Sequence, residues 1–198
     1  MTQLLAFFTV AADKTFVDDA TCKNLLNSIS LKTQSAAACL AIVLKNDKQR
    51  ASFNVDFLKM AQAGQVAGVL FLGELGKLTD LSSDKKIFET IKNAFQHAEE
   101  QVRLSASISL GNITIGNPNF FLKKVFGMVA ESEAKQKYLF LNTIREIVIS
   151  DSSCLSAYLT PLMELLMSQT NHPEDSIRSI VAECLGRLFI VYPEDLIE

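Results

Sequence analysis

This sequence predicts an all-α fold, a right-handed HEAT/armadillo-type solenoid of about five helix pairs, and a recurring dipeptide is the first reason. Leu72-Gly73 returns as Leu110-Gly111 and Leu185-Gly186, each time inside a long apolar stretch with helical spacing. Ile144-Arg145 and Leu40-Ala41 fill the equivalent places, so the unit recurs at spacings of 32, 38, 34 and 41 residues. A second observation fixes the phase. In "EEQVRLSASISLG" and "EDSIRSIVAECLG" an acidic pair precedes Arg103 or Arg178, and each Arg stands eight positions before its Gly. Lys137 holds that place before Arg145, whereas Gln65 holds it before Gly73. Acid first and base later suits a helix N-terminus followed by a ladder of cations between neighbouring repeats.

The elements follow in order. The first helix of each pair (A) is expected near 34–45, 65–78, 100–115, 133–149 and 175–191, with a shorter second helix (B) after each. In the fifth A helix Ile177, Ile180, Val181, Cys184, Leu185 and Leu188 form an apolar stripe too wide for one covered face, as stacking between repeats requires. Among the B helices, Asp84 is placed to cap "KKIFETIKNAF", whose Ile87, Phe88, Ile91 and Phe95 share a face. Asn117-Pro118 supplies a cap and a first-turn proline for "NFFLKKVFGMV". Pro161 would break a helix interior, so regular helix begins near it, and Tyr192-Pro193-Glu194 opens a last, short B segment. Gly in mid-helix costs about 1 kcal/mol against Ala, so Gly111 and Gly186 are expected where a neighbouring helix comes close. The chain reads as one HEAT-repeat segment over 1–198, a fragment of a longer solenoid, because "VYPEDLIE" leaves the last A helix without a full partner and Met1 falls partway through a unit.

Composition narrows the function. Hydrophobic residues make up 48%, ample for a core, and 19 basic against 22 acidic residues give a net charge of −3. That balance offers no long-range attraction for nucleic acid or an anionic membrane, which leaves protein as the expected partner. Leu4 to Ala12 is apolar like a signal segment but has no basic residue before it, and it reads as a helix with a buried face. No run reaches the ~20 apolar residues of a membrane span. Cys22, Cys39, Cys154 and Cys184 form no C-x-x-C pair and have no His at ligand spacing, so they read as buried free thiols in a reducing compartment.

Residues 65–197 resemble the cullin-associated, neddylation-dissociated protein family, also described as TATA-binding-protein-interacting proteins. The segments that carry the likeness are "LGELG" (72–76), "SLGNITIGN" (109–117), "KYLFLNTIREIVIS" (137–150) and above all "VAECLGRLFIVYPEDLI" (181–197). They are similar to consecutive HEAT repeats from the second half of that solenoid, and 1–64 fits more loosely through "QSAAACLAIVL". The resemblance implies a non-catalytic scaffold of cytoplasm and nucleus. Such scaffolds wrap around an unneddylated cullin with its RING subunit and act as exchange factors for SCF-type ubiquitin ligases. It implies no catalytic residue, no cofactor, no metal and no small-molecule substrate. A karyopherin or phosphatase-scaffold segment shares the architecture, and a HEAT-like DNA glycosylase is the enzyme alternative. That enzyme would need a basic DNA groove and stacking aromatics, against which stand the negative charge and the absence of Trp.

Five lysines are the contact candidates. Lys85, Lys86 and Lys92 on one B helix and Lys123 and Lys124 on the next are spaced to form a basic strip that an acidic protein surface would meet. His97 and His172 share a phase, 14 residues before Gly111 and Gly186, which puts both in turns between repeats with no Cys or carboxylate cluster at metal-ligand spacing.

Overall fold

The computed structural model describes residues 34–44 and 50–196, and every regular element in them is a helix. The elements are α1 (Gln34–Leu44), α2 (Arg50–Gln62), α3 (Val66–Leu78), α4 (Lys85–Ala94), α5 (Glu100–Gly116), α6 (Pro118–Glu131), α7 (Ala134–Ser150), a 3-10 turn (Ser152–Tyr158), α8 (Leu159–Met167), α9 (Asp175–Val191) and α10 (Pro193–Leu196). The A helices α3, α5, α7 and α9 lie side by side in one layer, each packed on the next. The B helices α2, α4, α6 and α8 form the second layer, and each packs against the A helix that follows it. This is the HEAT-type solenoid that the period predicts, and the A-helix bounds fall within a residue of expectation.

The start signals work as expected. Asp84 Oδ1 accepts from the Lys86 and Ile87 amides at 3.1 and 3.2 Å, and Asn117 Oδ1 accepts from the Phe120 amide at 3.2 Å with Pro118 in the first turn. Pro161 falls in the first turn of α8, where its missing amide hydrogen leaves no bond unmade. The core is continuous between the layers. Leu72, Leu75, Leu110, Ile113, Ile144, Ile147, Val181 and Leu188 are buried on the A side, and Ile87, Ile91, Phe121, Leu122, Leu162 and Leu166 on the B side. Full burial of each such side chain contributes about 1.5–3 kcal/mol. Rings tie neighbouring units together: Phe57 stacks on Phe71 with centroids 3.8 Å apart, and Phe95 meets Phe140 at 4.8 Å.

Of the repeat leucines, Leu72 and Leu110 are buried and Leu185 is half-buried. Cys184 is buried as expected, and Cys154 is half-buried with its thiol donating to the Asp151 carbonyl at 3.1 Å. Cys22 and the segment Leu4 to Ala12 lie outside the described residues, as does the side chain of Cys39.

Two expectations about the repeat positions need correction, and a third in part. Gly73 and Gly111 do meet neighbours: a Cβ on Gly73 would sit 2.5 Å from Ser109 Cα, and one on Gly111 would sit 2.9 Å from Glu146 Cβ. Gly186 does not. A Cβ there would have nothing within 4 Å among the described residues. Second, Arg103 and Arg178 form no ladder between repeats. Each guanidinium folds back onto its own turn: Arg103 donates to the His97 and Ala98 carbonyls at 2.7 and 2.6 Å, and Arg178 to those of His172 and Pro173 at 2.6 and 2.8 Å. The turn carbonyls lack helical partners, so the nearest cation satisfies them before it can reach another repeat. The polar links between repeats come from elsewhere: Asn112 Nδ2 to Glu74 Oε1 at 2.8 Å, and Arg145 Nε to Glu183 Oε2 at 2.5 Å.

The third concerns α1. It packs on α3, but Gln34 Nε2 donates to Glu146 Oε1 of α7 at 3.1 Å, so its N-terminus lies across the A layer instead of forming one more rung beyond α3. Two carboxylates, Glu74 and Glu146, draw the Gln34 amide there.

Candidate protein-binding face

The lysine candidates sit on neighbouring B helices. The α4 face with Ile87, Ile91 and Phe95 turns into the core, which leaves Lys85, Lys86 and Lys92 exposed. On α6 the buried set is Phe121, Leu122, Val125 and Val129, and Lys123 and Lys124 are exposed. Among the described residues no carboxylate lies within salt-bridge distance of any of the five. The pairing of α4 with α6 is made by Phe88 of α4 against Phe121 of α6, centroids 5.6 Å apart. The corner leading into α6 is pinned by Asn117 Nδ2, which donates to Asp80 Oδ2 at 3.0 Å. Bonds from the Ser82 amide and from Asn117 hold the Asp80 carboxyl below its ordinary range.

The sequence reading missed the aromatic part of this face. Lys124 Nζ lies 3.7 Å from the centroid of Phe120, with Phe88 at 5.3 Å and Phe121 at 5.8 Å. Phe120 meets Phe121 edge to face at 4.8 Å and remains 40% exposed. The four-residue spacing of Phe120 and Lys124 was a readable signal, since such pairs meet on one helix face. Beside it, α2 and α4 border an open groove of about 310 Å³ lined by Gln62, Gly64, Lys86, Glu89, Asn93 and His97.

His97 and His172 occupy turns of the same design, as their shared phase predicted. Each Nδ1 accepts from the amide two residues on, that of Glu99 or Glu174, at 3.2 Å. Those bonds join a histidine to its own turn and assemble no nucleophile. Among the described residues no group of three His, Cys, Asp or Glu is placed to hold a metal ion. Burial pushes the Cys184 thiol up to about 12 and the Cys154 thiol up to about 11, so neither is a thiolate at neutral pH. No helix of the described residues is long and apolar enough to cross a membrane.

Comparison with known proteins gives a consistent result. No family model matches the chain. It is 29% identical over 170 residues to cullin-associated NEDD8-dissociated protein 1 of Arabidopsis thaliana and 30% identical over 174 residues to the protein of that name from Drosophila melanogaster, in both cases over 82% of this chain and 14% of the relative. Cullin-associated NEDD8-dissociated protein 2 of Mus musculus is 28% identical over 134 residues, 67% of this chain and 11% of that protein. The chain thus spans about a seventh of the length of the relatives it matches. Helix pairs stacked at the predicted register and three such likenesses agree: over the matched residues this chain belongs to the cullin-associated, NEDD8-dissociated protein family.

Proposed function

We propose that this chain is a non-catalytic HEAT-repeat scaffold segment that helps to hold a cullin, and that it serves the assembly of SCF-type cullin-RING ubiquitin ligases. The observation that carries the reading is the likeness, over 82% of the chain, to proteins named for cullin association. The structure supports it with a B-helix face whose lysines are exposed and without carboxylate partners among the described residues, suited to an acidic protein surface. The partner in this reading is a cullin with its RING subunit and without NEDD8. The place of action is the cytoplasm and nucleus, in keeping with the protonated thiols of Cys154 and Cys184.

Binding is expected to be weak for a segment that engages only part of an extended partner, because affinity in such scaffolds multiplies over linked contacts. The test is capture of a purified cullin-RING pair, with and without NEDD8, by the immobilised chain. Capture of the unmodified pair alone, reduced by reversing the charge of Lys85, Lys86, Lys92, Lys123 and Lys124 together, is the expected result. Indifference to both cullin forms combined with capture of transport cargo or phosphatase subunits would overturn the assignment and leave the solenoid standing.

A further inference from the structure

We propose that Phe120 and Lys124 form the anchor of a docking site for an acidic segment of a protein partner, one in which an apolar side chain is flanked by carboxylates. This rests on the scaffold reading only for the partner's identity; the site itself is argued from charge, packing and exposure.

The B layer is electrically polarised along its length. Its α4 and α6 carry Lys85, Lys86, Lys92, Lys123 and Lys124 against Glu89 and Glu131. Further along, α8 and α10 carry Glu164, Glu194 and Asp195 and no cation. All of these acids are exposed, so the face offers a basic stretch and an acidic stretch to one extended partner. The chain as a whole is negative, which makes the basic stretch a local feature against the net charge. A segment rich in Asp and Glu is attracted to α4 and α6 and repelled at α8 and α10, which confines it to one end of the face.

Within the basic stretch one point differs from the rest. Lys85, Lys86, Lys92 and Lys123 make no ring contact among the described residues, whereas the Lys124 ammonium lies over the Phe120 ring with the Phe88 and Phe121 rings nearby. A charge that already rests on a ring loses less side-chain freedom when a carboxylate arrives than one with no such contact. Phe120, 40% exposed, presents ring surface beside that charge and rests edge-on against the buried Phe121. Aromatic rings are enriched in protein interfaces, where a polar and charged rim surrounds the apolar centre, and Phe120 amid the lysines has that arrangement. Asn119 continues the face toward the next unit, where its Oδ1 accepts from the Tyr158 hydroxyl at 2.8 Å, so the anchor sits on ordered ground.

The experiment uses the full chain and three fluorescent ten-residue probes: a Glu-rich peptide with a central Leu, the same peptide with a central Ser, and a Lys-rich peptide with a central Leu. Fluorescence anisotropy is expected to rank the acidic Leu probe about tenfold tighter than the acidic Ser probe, with the basic probe unbound. Phe120→Ser should erase the preference for Leu over Ser. Lys124→Glu should weaken both acidic probes, and Lys85→Glu should weaken both by a smaller, salt-sensitive factor. Circular dichroism of each variant checks that the helices persist, and Phe120→Tyr, which keeps ring and charge contact, should retain the preference. Equal binding of the two acidic probes, or a preference that survives Phe120→Ser, overturns the proposal. Capture of a cullin-RING pair is read on the same proteins to separate the two ideas. Capture that persists without any Phe120 dependence removes the anchor and leaves the scaffold, whereas Phe120-dependent probe binding without capture removes the cullin and leaves the anchor.

Discussion

Substituting Ala at Gly73, Gly111 and Gly186 in turn tests the packing of the A layer, because the same dipeptide meets three different surroundings. At Gly73 the new Cβ would lie 2.5 Å from Ser109 Cα and 2.7 Å from Ser109 Cβ and Oγ, against ordinary carbon contacts of about 3.5–4.0 Å. A backbone atom cannot rotate away, so α3 and α5 must separate, and the buried bond from Ser109 Oγ to the Val69 carbonyl, now 2.8 Å, must lengthen. Overpacking costs about 1–3 kcal/mol and the weakened buried bond about 1–3 kcal/mol, while Gly to Ala returns about 1 kcal/mol of helix propensity. The net expectation is a loss of about 1–5 kcal/mol. At Gly111 the obstacles are Glu146 Cβ and Cγ at 2.9 Å and the Thr143 carbonyl at 3.2 Å, a smaller overlap that α7 relieves by moving about half an ångström or more. Cost and propensity nearly cancel there, and only a larger residue such as Leu is expected to destabilise strongly. At Gly186 nothing stands within 4 Å, so Ala gains up to about 1 kcal/mol. Thermal denaturation followed by far-UV circular dichroism reads the series, with about 2–4 °C per kcal/mol for a chain of this size. The expected order of melting temperature is Gly186→Ala above the parent, Gly111→Ala close to it and Gly73→Ala lowest. A Gly73→Ala protein as stable as the parent, or a Gly186→Ala protein below it, would refute the packing argument.

Three further outcomes follow from the same geometry. Burial raises the Glu74 carboxyl above its ordinary value of 4.5, and the bonds from Gln34 and Asn112 and the charge of Lys77 only partly offset this. The folded state therefore holds that proton more tightly than the unfolded chain, and stability from this site is present below the ordinary value and lost as pH rises through the folded one. Glu74→Gln should thus gain in melting temperature relative to the parent between about pH 4 and pH 7, and a constant difference between the two proteins across that range would sink the claim. Arg103→Ala and Arg178→Ala should each cost about 1 kcal/mol by loss of paired carbonyl bonds in their turns, and denaturant titration showing no cost at either would contradict the turn-staple role. Native labelling with a maleimide near neutral pH, resolved by peptide mass spectrometry, should leave Cys184 unmodified until the chain is unfolded; rapid native reaction at Cys184 would show that its burial is wrong.

The parts of this fold that local chemistry decides were readable in the sequence. Helix bounds follow from apolar spacing and from caps such as Asp84 and Asn117, whose oxygens bond amides only two or three residues away. What depends on the approach of another helix was not readable. Leu110-Gly111 and Leu185-Gly186 look alike along the chain, yet one glycine faces Glu146 and the other open space. The arginines misled for a related reason: their shared phase suggested a ladder between repeats, but the turn carbonyls five and six residues back take the same guanidinium, and Arg178 also pairs with Asp175 of its own helix. The lysines of the candidate face were found by spacing alone; the Phe120 ring beside Lys124 was legible in the same four-residue spacing but overlooked, and the Phe88 ring was not legible because it comes from another helix.

One register position shows how a repeated scaffold acquires individual character. From α3 onward the residue after each repeat Gly or its equivalent is Glu74, Asn112, Glu146 and Arg187, all polar, whereas Ile42 holds that place in the first unit. Where the next A helix supplies a match, as Asn112 does for Glu74, the polar residue is buried and bonded. Asn112 Oδ1, by contrast, is buried with no hydrogen-bond partner among the described residues, an imperfection that a uniformly apolar column would avoid. Glu146 is bridged from Gln34 of α1, and Arg187 reaches Glu183 on its own helix at 3.4 Å. Apolar repeats stack in any register that buries their leucines, whereas a carboxylate facing the wrong rung would be buried without a donor. The polar column therefore favours one order of the helices, at some cost in stability, and Gln34 ties α1 to the same column through Glu146.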